Sequence, residues 1–312
     1  CRLHHSGTCR SCPHQDTPLD LQLTRKQQRV AQMLAAAPNP VPADAWLPPV
    51  ASAPERFRNK AKMVVSGRAA APVLGILGPD GGIDLRSCPL HMSAIEDALP
   101  ALSRAVSRLG IGPYDVDARR GELKHLLVTA SPDGDLMVRW VLRSHRHVEQ
   151  LRDALPELRR ELPTLAVMSA NIQPVHQAII EGKEEIIFTD DVPWGDRLLM
   201  RLRLPELMGS GSAPDGISAG WTGGAERAGG PGRATGTELL LFLPTRSFFQ
   251  TNTGVAERLY ATAAHWAQDL GLQAEVWDLF CGVGGFALAL AGSGRRVLGV
   301  EASEPAIRGA RE

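Results

Sequence analysis

The chain has 312 residues, 44% of them hydrophobic, which is a normal share for a globular protein of about two domains. Its 34 Lys and Arg residues balance its 34 Asp and Glu residues, so the formal net charge is zero. This balance argues against a protein that wraps nucleic acid over its whole surface, although it allows local basic patches. The sequence contains no apolar run of membrane-spanning length and opens with no signal peptide. We therefore predict a cytoplasmic protein that does not enter membranes, and we expect it to be a monomer.

Cysteines and histidines are concentrated at the start of the chain. The sequence contains five cysteines: Cys1, Cys9, Cys12, Cys88 and Cys281. An odd number without a signal peptide indicates a reducing compartment, where thiols serve metal binding or catalysis more often than disulfides. Cys1-x7-Cys9-x2-Cys12 and the distant Cys88 supply four thiolates, which suit either a zinc ion or an iron–sulfur cluster. The spacing leaves zinc, a cluster and unrelated thiols open, because three histidines could compete as zinc ligands: His4, His5 and His14.

The residues before position 91 predict a helix, a linker and the start of a sheet. Residues 19–34 have the spacing of a basic-polar helix with Leu23, Val30 and Leu34 as its apolar stripe. The proline-rich stretch 38–49 is typical of a linker. Alternating basic residues at 56–67 predict a strand with one cationic face, and residues 72–77 predict its partner. Binding of RNA phosphates and simple solvation are equally good interpretations of three cations on that strand: Arg58, Lys60 and Lys62.

Residues 91–208 predict a mixed α+β domain. Ser93 and Glu96 have the spacing of a capping box, which opens a helix that ends at Gly110. We expect the buried face of this helix to consist of Ile95, Leu99, Leu102, Val106 and Leu109. The elements predicted next are a hairpin of 124–130 with 136–143 around Pro132-Asp133-Gly134, a helix with Val148, Leu151, Leu155 and Leu158 inside, and strands near 165–172, 184–189 and 196–204.

A glycine-rich stretch separates this domain from the last one. Residues 209–236 carry ten glycines in 28 positions and few apolar residues, which predicts a disordered insertion. Strand character resumes at 239–243. Asn252 and Thr253 then have the pattern of a helix start, and Gly271 that of its end. The residues expected inside this helix are Val255, Leu259, Ala263, Trp266 and Leu270.

The stretch 277–286 has the pattern of a cofactor-binding turn. A buried strand carrying Asp278 runs into Gly282, Gly284 and Gly285, where the lack of side chains lets the backbone approach a ligand closely. Glu301 ends a second strand 19 residues after Gly282, the usual distance for a carboxylate that binds ribose hydroxyls. The same glycines also fit a dinucleotide fingerprint, but Asp278 favours S-adenosylmethionine over NAD. A tight strand–helix turn without a ligand is the third interpretation.

Six motifs in a fixed order resemble the bacterial RNA (uracil-5-)-methyltransferase family. They comprise seven segments, because the N-terminal cysteines and the Cys88 segment count as one motif. The resemblance covers nearly the whole chain except the glycine-rich stretch, and it is strongest to the members that methylate 23S rRNA. The segments are Cys1 with Cys9-Arg10-Ser11-Cys12, Phe57-Arg58-Asn59-Lys60-Ala61-Lys62, Ser87-Cys88-Pro89-Leu90, Arg120-Gly121-Glu122-Leu123-Lys124, Asn171-Ile172-Gln173-Pro174, Ser247-Phe248-Phe249-Gln250-Thr251-Asn252 and Asp278-Leu279-Phe280-Cys281-Gly282.

This resemblance implies ligands for particular residues. It implies that a [4Fe-4S] cluster is held by Cys1, Cys9, Cys12 and Cys88. It implies contacts to S-adenosylmethionine from Gln250, Phe280 and Glu301, which join Asp278, Gly282 and Gly284 of the turn. The chain opens at the cluster cysteines without a small RNA-binding β-barrel, which again resembles the type that acts on 23S rRNA.

The chemistry of this family requires groups that the sequence does not offer. A cysteine thiolate adds to C6 of uracil, C5 then attacks the sulfonium methyl, and a base removes the C5 proton. Family members carry an Asn-Pro-Pro segment, the nucleophilic Cys and a base Glu after the region where this chain ends at Glu312. Cys281 lies inside the glycine-rich turn, where a small space-filling residue is a much better interpretation than a nucleophile. We therefore assign no catalytic residue, expect nucleophile and base beyond Glu312, and predict that this truncated chain is inactive.

The sequence thus predicts an α/β protein with an N-terminal iron–sulfur segment, a mixed α+β central domain and a truncated Rossmann-like class I methyltransferase domain. The boundaries are 1–90 for the cysteine-rich region with the start of the central domain, 91–208 for the central RNA-binding domain, 209–236 for the insertion and 237–312 for the start of the methyltransferase domain. The predicted function is S-adenosylmethionine-dependent formation of 5-methyluridine in 23S rRNA. A non-catalytic RNA-binding iron–sulfur module is the alternative, and an NAD-binding oxidoreductase is a weaker one.

Overall fold

The computed structural model describes residues 1–176, 179–206, 237–270, 274–291 and 295–312. These residues fall into two compact units, with 1–54 in the first and the remainder in the second. No described helix is both long and apolar enough to cross a membrane. The predicted insertion at 209–236 and the predicted helix end at Gly271 lie outside the described residues.

The first unit is small and mostly polar. It contains α1 (Arg2–His5), α2 (Leu19–Ala35) and a single 3-10 turn at Ala43–Ala45. The predicted helix over 19–34 is confirmed, but α2 buries none of its residues. Two members of its predicted apolar stripe, Val30 and Leu34, remain 47% and 39% exposed.

The second unit is built on a mixed sheet whose described part has seven strands in the order β3-β2-β1-β4-β5-β6-β7. Neighbouring strands are antiparallel except β5 and β6, which are parallel and joined by a helix. The predicted 72–77 partner strand and the hairpin around Gly134 are confirmed. The strands are β1 (Lys60–Arg68), β2 (Ala71–Gly78), β3 (Gly81–Asp84), β4 (Leu123–Ala130), β5 (Leu136–Leu142), β6 (Leu165–Ile172) and β7 (Glu184–Ile187).

Two helices, α3 (Ser93–Leu109) and α4 (Val148–Glu161), bury their apolar faces in the main core with residues of this sheet. The predicted α3 face is confirmed, with Leu109 only partly buried. The predicted capping box is wrong, because Ser93 and Glu96 both receive hydrogen bonds from the Arg56 guanidinium, at 2.8 and 3.1 Å. Gly110 ends α3 in the left-handed conformation at φ 63°, as predicted.

A second core holds the antiparallel pair β8 (Arg197–Leu204) and β9 (Thr237–Pro244) together with α5 (Thr253–Trp266). The Asn252 side chain accepts a hydrogen bond from Val255 N at 3.1 Å, which confirms the predicted helix start. The predicted inner face of α5 is wrong: Leu259 and Trp266 are 40% and 59% exposed. The helix instead buries Ala256, Tyr260 and Ala261.

The last elements form a strand–helix–strand–helix unit. They are β10 (Glu275–Leu279), α6 (Gly285–Leu290), β11 (Arg296–Val300) and α7 (Glu304–Ala310). β10 and β11 pair in parallel, with Asp278 opposite Gly299. This is the strand, glycine-rich turn and second strand that the sequence predicts, but the prediction that the first strand is buried is wrong: Trp277 and Leu279 of β10 are 61% and 57% exposed. α5 packs against α6, and α7 packs against β9.

Candidate cofactor site

The glycine-rich turn between β10 and α6 is a sharp left-handed bend. Phe280, Gly282 and Gly284 have φ angles of 65°, 57° and 83°. This region of backbone space is open to glycine and costly for a residue with a side chain, so Phe280 is the strained member. The Phe280 N–H donates to Val300 O at 2.7 Å, which anchors the bend to the end of β11. The strained backbone holds a Phe280 side chain that is 90% exposed.

Glu301 closes the bend from the other side. Its Oε2 accepts from Gly282 N at 2.9 Å, and its Oε1 accepts from Ala302 N and Ser303 N at 2.8 Å each. These backbone N–H groups, with Ser303 the strongest, lower the pKa of Glu301 below its ordinary value. The carboxylate is therefore ionised and held beside the glycine turn, which places an anionic acceptor where a ribose would need one.

Asp278 stabilises the start of α6. Its Oδ2 accepts from Ala287 N at 2.8 Å, so a carboxylate lies at the positive end of the helix. Burial raises the pKa of Asp278, against the hydrogen bond from Ala287. The sequence pattern placed Asp278 at the cofactor, and the structure gives it a capping contact within the same turn.

Cys281 is packed within the bend. Burial raises the pKa of its thiol, and the nearby Asp278 and Glu301 carboxylates raise it further. A Cβ added to Gly299 would lie 2.9 Å from Cys281 Sγ, so the thiol fills the space against β11. A nucleophilic thiol needs the opposite environment, one that lowers its pKa. These contacts support the interpretation of Cys281 as a space-filling residue.

Tyr260 also packs at this site, and the sequence did not predict it. Its ring packs edge-on against Phe286 at a centroid distance of 4.7 Å. A Cβ on Gly285 would lie 2.4 Å from Tyr260 Oη, so this close contact explains why α6 begins with glycine. Burial and the Asp278 carboxylate raise the pKa of Tyr260 to about 12, so it stays a neutral phenol. The expected α5 face was one step out of phase, which hid Tyr260.

Gln250 lies at the entrance to α5, which packs against α6. Its side chain is exposed, between the buried Phe249 and the Asn252 cap. Phe248 is 71% exposed. Among the described residues no hydrogen bond joins Gln250 to the glycine turn, whereas Phe280, Gly282 and Gly284 form that turn and Asp278 and Glu301 flank it. The structure therefore brings five of the six predicted cofactor residues together directly.

The cysteines predicted to hold a cluster lie in both units. Cys1, Cys9 and Cys12 are half-buried thiols of the first unit, and Cys88 is half-buried in the second. Four thiolates are the donor set that an iron–sulfur cluster requires. Over the described ranges, however, no three His, Cys, Asp or Glu side chains are grouped so that they could hold a metal ion.

The cationic face predicted at 56–67 is smaller than expected. β1 begins at Lys60, so Arg58 lies ahead of it. Lys62 is exposed on the face opposite the core residues Ala61 and Met63. Lys60 is half-buried, and burial lowers its pKa.

A parallel strand pair joined through a glycine bend and a helix, with a carboxylate after the second strand, is typical of a Rossmann-like nucleotide-binding domain. A family model described as tRNA (Uracil-5-)-methyltransferase matches residues 234–312. The 23S rRNA (uracil(747)-C(5))-methyltransferase RlmC of Halothiobacillus neapolitanus is 45% identical over 315 residues, covering 100% of this chain and 72% of the relative. The protein of the same name from Pectobacterium atrosepticum is 42% identical over 313 residues, with the same coverage.

A solved structure has the same fold. The Pyrococcus abyssi tRNA (uracil-54, C5)-methyltransferase, in complex with S-adenosyl-L-homocysteine, aligns with a TM-score of 0.63 at 18% identity. The alignment covers 97% of this chain, and the chain spans 61% of that structure. The chain belongs to the RlmC family of RNA (uracil-C5)-methyltransferases. The family resemblance predicted from the sequence is confirmed, and the NAD-binding oxidoreductase is excluded as the family.

Proposed function

We propose that the protein transfers a methyl group from S-adenosylmethionine to C5 of a uracil in 23S rRNA and so forms 5-methyluridine. The observation that carries the proposal is the ionised Glu301 bound to Gly282 N in the bend, in a chain whose full-length relatives are named for this reaction. The bend offers S-adenosylmethionine an approachable backbone at Gly282 and Gly284 and a carboxylate acceptor for ribose hydroxyls.

The other cofactor contacts follow from the same arrangement. Phe280, exposed on a strained backbone, has the position of a ring that covers the adenine or the sulfonium group. Gln250 supplies an exposed amide at the start of α5. Asp278 acts through its cap on α6, which fixes the direction of the helix beneath the cofactor.

The methyl transfer itself also needs a cysteine thiolate that acts as a nucleophile. A thiolate adds to uracil C6, the C5 carbanion takes the methyl group from sulfur, the base removes the C5 proton, and the thiolate leaves to restore the double bond. The raised pKa of Cys281 makes it unsuited to the first step. That the nucleophile and the base lie outside the 312 residues stays a prediction.

A [4Fe-4S] cluster on Cys1, Cys9, Cys12 and Cys88 is part of the proposal. The support is the donor set and the order of the motifs, since four thiolates match such a cluster. The chain buries little apolar surface over residues 1–54, and such a segment gains much stability from a bound metal group. No chemical step of the methyl transfer runs through the cluster.

The partner is 23S rRNA, which the central domain is proposed to bind as a cytoplasmic monomer. Arg58, which bridges Asn252 ahead of α5, and Lys62 on β1 are both exposed and available to phosphates. The non-catalytic RNA-binding iron–sulfur module is the second candidate. It is favoured by one observation, namely that no described cysteine is placed as a nucleophile.

The two candidates differ in methyl transfer. The protein encoded by the complete gene, with any residues that follow Glu312, is purified without oxygen and incubated with methyl-labelled S-adenosylmethionine and one RNA at a time: unmodified 23S rRNA, 16S rRNA or tRNA. Nucleosides are then separated by mass. The proposal expects label in 5-methyluridine from 23S rRNA alone. Tight RNA binding without any transfer would favour the binding module, and label in tRNA would reject the assigned substrate.

A further inference from the structure

Asn59 is a fully buried side chain that ties the central sheet to the Gln250 loop. It is 1% exposed and lies immediately before β1. Its Nδ2 donates to Gln250 O and to Thr253 Oγ1, each at 2.9 Å. Its backbone N–H donates to Thr251 O at 2.9 Å. Three hydrogen bonds therefore join one residue to a four-residue segment that lies 191 or more positions away in the sequence.

The backbone around Asn59 is itself held from two other directions. Asn59 O accepts from Ala130 N at 2.8 Å, at the end of β4. The preceding residue, Arg58, bridges His91 on one side and Asn252 on the other. Ala130 and His91 belong to the central sheet and to the turn before α3, whereas Asn252 belongs to the Gln250 loop itself, so the first two hold Asn59 independently of that loop. The loop must therefore conform to Asn59.

We propose that Asn59 is a positioning residue for the cofactor site, which sets the place of Gln250 and of the first turn of α5. The inference rests on the proposed role of Gln250 as a cofactor contact. The side-chain amide is suited to this task because it carries two N–H donors, and both are used on the loop. The bond to Gln250 O holds the loop residue, and the bond to Thr253 holds the start of the helix.

A double-mutant cycle separates positioning from general stability. The dissociation constant of S-adenosylmethionine is measured by calorimetry for the unmodified protein, Asn59→Ala, Gln250→Ala and the double variant. If Asn59 acts through Gln250, Asn59→Ala weakens binding about ten-fold alone and less than about two-fold when Gln250 is already Ala. Asn171→Ala is the matched control, because Asn171 is also buried in the sheet but bonds to Gly182 and Glu185, away from the loop.

A second pair of variants guards against poor folding of Asn59→Ala. Thr253→Val removes the hydroxyl that accepts from Asn59, whereas Thr253→Ser keeps it. We expect weaker cofactor binding for the valine variant and normal binding for the serine variant. The positioning role alone would be overturned if Asn59→Ala weakened binding equally with Gln250 present and with Gln250 replaced by Ala. A loss as large in Asn171→Ala would also overturn it. Normal binding by Gln250→Ala would overturn the assignment of Gln250 and, with it, this inference.

Discussion

Glu301 is the residue on which the cofactor assignment depends. An ionised carboxylate has about four acceptor positions, and three backbone N–H groups occupy three of them. Acceptor capacity therefore remains for a ribose hydroxyl. Because the pKa of Glu301 lies below its ordinary value of 4.5, the carboxylate stays charged across the physiological pH range. The sequence could predict the place of Glu301 beside the glycine turn, because the distance from Gly282 to Glu301 follows from one strand–helix–strand unit.

Replacing Glu301 by Ala should weaken S-adenosylmethionine binding by at least about ten-fold, because a charge-assisted hydrogen bond is lost and the Gly282 turn loses its partner. Calorimetry measures the change. Glu304→Ala is the matched control, since this nearby acid is exposed and pairs with Arg308 at 3.1 Å. Normal affinity in Glu301→Ala, or an equal loss in Glu304→Ala, would show that the ribose is bound elsewhere.

At the scale of elements, the order of strands and helices follows from patterns of hydrophobic residues, but the details of their contacts do not. The helical period of α5 is visible in the sequence, yet two of the residues that it predicts inside, Leu259 and Trp266, are exposed. The face of α5 that enters the second core instead carries Ala256, Tyr260 and Ala261. The Ser93–Glu96 capping box failed for a similar reason, since Arg56, 37 residues earlier, takes both side chains.

The glycine bend and β11 are coupled through Cys281 and Gly299. Gly299→Ala should destabilise the protein by about 1–3 kcal/mol, because the new methyl group overlaps the thiol. Removing the thiol makes room, so the double variant Cys281→Ala with Gly299→Ala should recover most of that loss. Urea unfolding followed by tryptophan fluorescence gives the four stabilities. A loss of the same size with and without the thiol would mean that Cys281 does not fill this space.

At the scale of the whole molecule, the sequence predicts the central sheet well because its strands have strong hydrophobic patterns and clear turns. The polar contacts that join distant segments, such as Asn59 to Gln250, could not be predicted, since no local pattern specifies a partner 191 residues away. The opposite holds for the four cysteines predicted to bind a cluster. Its spacing is informative about ligand chemistry, but the arrangement of thiols around a cluster depends on the bound group.

The central sheet should lose stability in mild acid. Burial, with Lys124 and Lys62 nearby and only Glu181 opposing, lowers the pKa of His125 from 6.5 to about 4. Between these values the unfolded chain binds a proton that the folded chain does not. Stability is therefore complete above pH 6.5 and falls by about 1.4 kcal/mol per pH unit as the pH drops towards 4.

The variant His125→Asn should lack this dependence. Urea unfolding at pH 7.5 and 5.0 should show a loss for the unmodified protein that exceeds the loss for His125→Asn by about 2 kcal/mol. His145→Asn is the control, because His145 is 62% exposed in its side chain and pairs with Glu184 at the surface. Parallel pH profiles for the unmodified protein and His125→Asn would contradict the buried neutral state.

The proposed cluster should be visible in the purified protein. Preparation without oxygen should give a brown protein with iron and sulfide in similar amounts, because four cysteines match the donor set. Cys12→Ser should lose the colour and expose residues 1–54 to proteolysis. Cys281→Ala should keep the colour and leave residues 1–54 protected. One zinc ion and no iron in protein made without oxygen would show that the cysteines form a zinc site and would contradict the cluster.

The most direct measurement for the whole account is a crystal structure of the protein with S-adenosyl-L-homocysteine. We expect ribose hydroxyls on the Glu301 carboxylate, the nucleoside over the Gly282–Gly284 backbone, and the Phe280 ring and Gln250 amide against the ligand. Density for the nucleoside at another place, or a Glu301 carboxylate that contacts only the backbone N–H groups of Gly282, Ala302 and Ser303 in the presence of bound ligand, would contradict it.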